Sequence, residues 1–144
     1  MFISSVTDRG ATPAIVKMLA FNESRLRMIS ENVANINTPG YRAKQLDTRA
    51  FQRSLRAALD TRARDPKSAF VVRSGDEVRT DGQGYLQVTP SRKPSDNVLF
   101  HDGTNLSIER EMADLAETGM THDLYTTLLN GRFHGLRNAI RGTL

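Results

Sequence analysis

Apolar side chains recur at alternating steps of four and three residues at both ends of this chain. In the first run Ile15, Leu19, Leu26, Ile29, Val33 and Ile36 keep that step, and Asn22 is the one polar interruption. This spacing predicts an amphipathic helix whose coiled-coil-like stripe is about three heptads long. Thr12 followed by Pro13 reads as an N-cap with proline in the first helical position. The stop is equally legible. Asn32, Asn35 and Asn37 are weak helix formers, Pro39 drives Thr38 out of the α region, and Gly40 permits positive φ. Thr38-Pro39-Gly40-Tyr41 is therefore predicted to be a turn.

The second run comprises Ile108, Met112, Leu115, Gly119, His122, Thr126, Leu129, Phe133, Leu136 and Ile140. It weakens at 119, 122 and 126 but keeps its step. Ser107 is placed to cap it, Glu109 and Glu111 suit a helix N-terminus, and Arg132, Arg137 and Arg141 suit the other end. A helix of about 35 residues would be roughly 50 Å long, too long for a compact domain of this size.

Between these runs the pattern changes. Arg42 to Ala63 can be partly helical, with Phe51, Leu55 and Leu59 on one face, and Asp65-Pro66 ends it. Residues 69–72 and 84–89 read as short strands, set among turns at Asp81-Gly82, Pro90, Pro94 and Asp102-Gly103. This middle is small and polar, so it is expected to be a loosely packed β excursion or to order only on assembly. The expected fold is mainly α: long N- and C-terminal helices paired as a coiled-coil-like bundle, with a small irregular or β middle segment. The expected divisions are 1–41 for the first helix and its turn, 42–104 for a basic linker and β/loop region, and 105–144 for the last helix. Paired, the two seams cover each other but leave flanks such as Met18, Met28, Leu124 and Leu128 in search of partners.

Composition narrows the function. Hydrophobic residues make up 38% of the 144, and Trp and Cys are absent. The core is therefore modest, and disulfides and thiolate metal sites are excluded. No run approaches the roughly 20 apolar residues of a membrane span. The opening Met1-Phe2-Ile3-Ser4-Ser5-Val6 meets Asp8 and Arg9 at once, so no cleavable secretion signal is expected. Residues 1–72 carry twelve Lys/Arg against six Asp/Glu, a net +6, whereas residues 73–144 carry eight against ten, a net −2. Arg42, Lys44, Arg49, Arg53, Arg56, Arg62 and Arg64 hold most of the excess. A basic helical nucleic-acid-binding protein is one reading of them, and a coiled-coil adaptor is another. Stacking aromatics and a groove-reading motif are missing from that stretch. His101, His122 and His134 have no metal-ligand spacing, and neither a P-loop nor a Gly-x-Ser-x-Gly elbow is present. The sequence gives catalysis, cofactors and small-molecule substrates no support.

Residues 32–43 read NVANINTPGYRA, and residues 105–112 read NLSIEREM. The first resembles the N-terminal signature of the flagellar rod, hook and hook-filament-junction proteins, in which an Asn-rich helix end runs into a Thr-Pro-Gly-Tyr or Thr-Thr-Gly-Phe turn. The second is similar to the pattern that opens the last helix of that family of axial proteins. The form of the turn looks most like the proximal-rod members. The resemblance implies export through the flagellar type III apparatus without a cleaved signal, and assembly into the basal-body rod that crosses the periplasm. It implies as partners other copies of the chain, neighbouring rod proteins, the FliE adaptor, the MS ring and the export gate. Asn32, Asn35, Asn37, Thr38, Pro39, Gly40 and Tyr41 become an assembly turn, in which the Asn32 and Asn35 amides are expected to bridge to an adjacent subunit. Phe51 and Leu55 match the Phe-x-x-x-hydrophobic motif read by the gate. Phe2 and Val6 share that spacing, and core packing one helical turn apart accounts for Phe51 and Leu55 equally well.

Overall fold

The computed structural model describes residues 10–92 and 107–142. Phe2, Val6, Pro94, His101, the Asp102-Gly103 turn and Asn105 lie outside the described residues. Along the chain come α1 (Thr12–Ala34), α2 (Thr48–Arg64), β1 (Arg73–Ser74), β2 (Val78–Thr80), β3 (Leu86–Val88) and α3 (Ile108–Arg141). The strands form an antiparallel sheet in the order β1-β2-β3, with Ser74 opposite Val78 and Thr80 opposite Leu86. The fold is mainly α, and α1 and α3 pair as expected.

Each helix has a local cause. α1 begins one residue earlier than its sequence predicts, with Ala11 at the N-cap and Pro13 one position further in. Asp47 caps α2, its Oδ1 accepting from Ala50 N at 2.8 Å, and Arg62 and Arg64 lie in the last turn, where the helix dipole favours cations. α3 runs for 34 residues from Ser107 at the N-cap. The Ser107 hydroxyl binds Glu109 Oε2 at 2.8 Å rather than a backbone N–H, and this bond holds the Glu109 carboxyl below the usual carboxylate range.

The middle segment is the main correction. It is neither loose nor coreless: Val72 and Val78 are fully buried, with Ala14, Phe21, Phe51 and Leu55 packed around them. Phe21 and Phe51 stack with ring centroids 4.0 Å apart and planes almost parallel, an aromatic pair worth about 0.5–1.5 kcal/mol beyond its burial. The core escapes a composition count because α1 and α2 supply four of its six buried members, Ala14, Phe21, Phe51 and Leu55. Met28 is buried and Met18 packs against the same cluster, so neither is the exposed flank expected from the paired-helix picture. Leu59 turns to solvent, and Ala58 takes its expected place beside Leu55. The strand predicted at 69–72 falls just ahead of β1.

Side-chain bonds fasten this unit together. Buried Lys17 donates through Nζ to Gly84 O at 2.9 Å, under the loop between β2 and β3. Thr80 Oγ1 exchanges two bonds with the Val72 backbone. Glu77 accepts from Asp47 N at 3.0 Å and from the Ser91 hydroxyl at 2.5 Å, which ties the β1–β2 hairpin to the start of α2.

Candidate assembly surface

The turn after α1 is built around one amide. Asn32 is 1% exposed. Its Oδ1 accepts from Lys44 N at 3.0 Å and from the Tyr41 hydroxyl at 3.1 Å. Its Nδ2 donates to Lys44 O at 3.0 Å and to Glu111 Oε2 at 3.4 Å. A buried amide needs partners for both of its ends, and this one finds them on the returning chain and on α3. Asn35 Nδ2 donates to Glu31 O at 2.8 Å. Both amides thus make bonds within the chain. Lys44 pairs with Glu31 on the same side of the turn. Gly40 has φ +72°, as the Pro-Gly sequence predicts, while Asn37, Thr38 and Pro39 are exposed and Ile36 is half-buried.

Two carboxyl and phenol groups here are shifted. Burial, offset in part by the Asn32 bond, pushes the Glu111 carboxyl above its ordinary value. Burial and then the nearby Glu31 charge push the Tyr41 phenol up, so it remains a donor to Asn32 through the neutral range.

Along the α1–α3 seam the predicted residues divide. On α1, Ile15 and Ile29 are buried, while Leu19, Leu26 and Val33 are half-buried. On α3, Leu115, Leu129 and Leu136 are half-buried, whereas Ile108, Met112, Phe133 and Ile140 are exposed. Those four stand largely open to water. The contact line runs instead through Thr118, which is fully buried. Asn22 Nδ2 donates to Thr118 O at 2.8 Å, the Thr118 hydroxyl turns back to Asp114 O at 2.6 Å, and Arg25 meets Asp114 at 3.6 Å. Sequence reasoning missed Thr118. The available signal was Asn22 itself, because a polar residue in an apolar stripe demands an acceptor opposite it.

Phe51 and Leu55 are 3% and 6% exposed, so in the folded chain they are core residues. Arg49, Arg53, Arg56 and Arg64 are exposed on α2, and Arg62 lies 5.7 Å from the centre of the Phe70 ring. His122 is half-buried and His134 exposed. Among the described residues no cluster of His, Asp or Glu is arranged to hold a metal ion, and no helix is long and apolar enough to cross a membrane.

An exposed apolar row stands on α3. Met120 is 75% exposed, Leu124 54% and Leu128 46%, at successive helical turns. Phe133 and Ile140, exposed further on, lie on the opposite side of the helix, in line with the seam. An exposed apolar row on a water-facing helix is a candidate interaction surface.

Known proteins resemble this chain in sequence. Residues 19–42, from mid-α1 through the turn to Arg42, match the model of the family described as "Flagella basal body rod protein". The flagellar basal body rod protein FlgB of Borrelia hermsii is 30% identical over 121 residues, covering 81% of this chain and 85% of that one. FlgB of Bacillus subtilis is 25% identical over 141 residues, covering 92% and 95%. FlgB of Escherichia coli is 25% identical over 126 residues, covering 85% and 87%. The chain belongs to the FlgB family of flagellar basal body rod proteins, and it is a structural component of the basal body rod rather than an enzyme.

Proposed function

We propose that this member of the FlgB family builds the proximal rod, and that it assembles through α1 and α3 after export by the flagellar type III apparatus without a cleaved signal. The exposed row of Met120, Leu124 and Leu128 on α3 carries the reading. Burying each such side chain in a neighbour would contribute about 1.5–3 kcal/mol, and every copy repeats the gain. The partners are other copies, the adjoining rod proteins, and the FliE adaptor and MS ring at the base of a rod that crosses the periplasm. The turn from Asn32 to Tyr41 serves this assembly from inside the subunit, by setting the angle at which the chain leaves α1. The export gate reads Phe51 and Leu55 before folding, since both are buried afterwards.

The test is Leu124→Asp combined with Leu128→Asp. Both positions are open to water in the single chain, so stability should move by no more than about 0.5 kcal/mol per site. In an assembled interface each would bury an unpaired charge. Circular dichroism should therefore be unchanged, while motility and the yield of rods in isolated basal bodies collapse. Normal rods from the double variant would refute assembly through this face.

A further inference from the structure

A second surface of the molecule is left unbalanced in charge. Arg49, Arg53 and Arg56 follow steps of four and three along α2, on the side away from Phe51 and Leu55, and all three are exposed. Arg73 and Arg79, also exposed, stand directly opposite each other across the β1–β2 pair. The Ser54 hydroxyl donates to Arg73 O at 2.6 Å, so α2 and the strand pair adjoin. Among the described residues none of these five arginines has an ion-pair partner. Like charges set directly opposite each other destabilise a strand pair, and a face of this kind raises the energy of the isolated chain until an anionic surface covers it.

The matching charge stands on another side of the same molecule. Residues 108–123 of α3 carry five carboxylates against one arginine. Glu111 and Asp114 are engaged by Asn32 and Arg25. Glu109, Glu117 and Asp123 are exposed and, among the described residues, have no ion-pair partner. Arg49 to Arg56 spans about 10 Å along its helix and Glu117 to Asp123 about 9 Å along its own, so the two charged stretches are similar in extent.

We infer that the arginine face of α2 and the β1–β2 pair docks the acidic first half of α3 from a second copy of this chain. Two different patches are joined, so the contact is heterologous: each copy offers a free arginine face at one end and a free acidic face at the other. Such a contact propagates along an open array instead of closing as a dimer. The inference rests on the self-assembly reading above and adds to it a polar contact, separate from the apolar stripe, that fixes direction and register.

Two full-length variants test it, Arg53→Glu/Arg56→Glu and Glu117→Arg/Asp123→Arg. Each gives the substituted positions the sign of the face they would meet, so each alone should self-associate about tenfold more weakly than the wild type in sedimentation velocity at low salt. Mixed in equal amounts the two are complementary again, and association should return. A misfolded variant could not be rescued in this way. High salt should weaken the wild-type and mixed contacts together. Undiminished association of the separate variants, or no recovery on mixing, would overturn the inference and leave assembly through the apolar stripe standing. A wild-type chain that does not associate at any concentration would overturn both. Retention on duplex DNA that is lost with Arg53→Glu/Arg56→Glu, without self-association, would assign the face to nucleic acid instead.

Discussion

Replacing Asn32 by Asp changes one buried group with almost no change in shape, which makes it a sharp probe of the turn. The aspartate keeps an acceptor for Lys44 N and the Tyr41 hydroxyl. It loses the donor that serves Lys44 O at 3.0 Å, and it places a carboxylate where an amide N–H now faces Glu111 Oε2 at 3.4 Å. The orphaned carbonyl costs about 1–3 kcal/mol. The new carboxylate, at a position only 1% exposed, adds desolvation and repulsion from Glu111, for a total of about 2–4 kcal/mol at neutral pH. Asn32→Ala leaves both Lys44 backbone groups unpaired and should cost at least as much. Glu111→Gln in the Asn32→Asp background supplies an amide donor and removes the repulsion, and it should recover about 1 kcal/mol or more, the size of coupling expected between contacting residues. Urea denaturation followed by circular dichroism reads each value as a shift in midpoint at constant slope. A loss below about 0.5 kcal/mol for both Asn32 variants, within the range of ordinary surface substitutions, would show that the amide does not hold the turn.

Three further outcomes follow from neighbouring features. Glu111 has its folded pKa raised, chiefly by burial, so the folded state binds its proton more tightly than the unfolded one. The stabilisation it contributes is complete below the unfolded value and is lost as pH rises through the folded one. Glu111→Gln should therefore hold or raise the melting temperature at neutral pH, and the wild-type-minus-variant curve should fall with pH across that interval; a rising curve would contradict the assignment. Gly40→Val places a β-branched residue at φ +72° and should cost about 1 kcal/mol or more. No atom lies within 4 Å of the added Cβ, so Gly40→Asn should cost clearly less, and equal losses would point to a steric cause instead. Phe51→Ala breaks the stack on Phe21 and should cost about 3–5 kcal/mol in the denaturation midpoint. If Phe51 is also read by the export gate, secretion should fall beyond the effect of an equally destabilising Val78→Ala, whereas matched secretion of the two would leave Phe51 a packing residue alone.

Much of this architecture was legible because it depends on local grammar. The terminal helices, the Asn-rich stop, the Pro-Gly turn and the positive φ at Gly40 follow from spacing and backbone preference, and the structure places them within a residue or so of expectation. β2 was not legible. Val78-Arg79-Thr80 is three residues long, too short for alternation to register, and its place comes from Val78 filling the core. The cluster beneath the sheet escaped for a different reason. A period of 3.5 or 3.6 identifies residues that share a face, but α1 has two covered faces, one under Ile15, Asn22 and Ile29 and one under Ala14, Phe21 and Met28.

The same limit explains the division of the α3 seam. Its apolar positions obey one period from Ile108 to Ile140, yet Ile108, Met112, Phe133 and Ile140 stay exposed while Leu115, Thr118 and Leu129 are covered. Apolar spacing sets no register between two helices, because sliding one by a turn changes few of its contacts. The polar residues set it: Asn32 reaches Glu111, Arg25 reaches Asp114 and Asn22 reaches the Thr118 carbonyl. A slip of one turn would break all three and leave the Asn22 amide buried without an acceptor, at a cost of about 1–3 kcal/mol for that group alone. Within the subunit, then, buried amides fix how α1 and α3 meet. The apolar residues that this register leaves facing water stand on two sides of α3, Met120, Leu124 and Leu128 on one and Phe133 and Ile140 on the other.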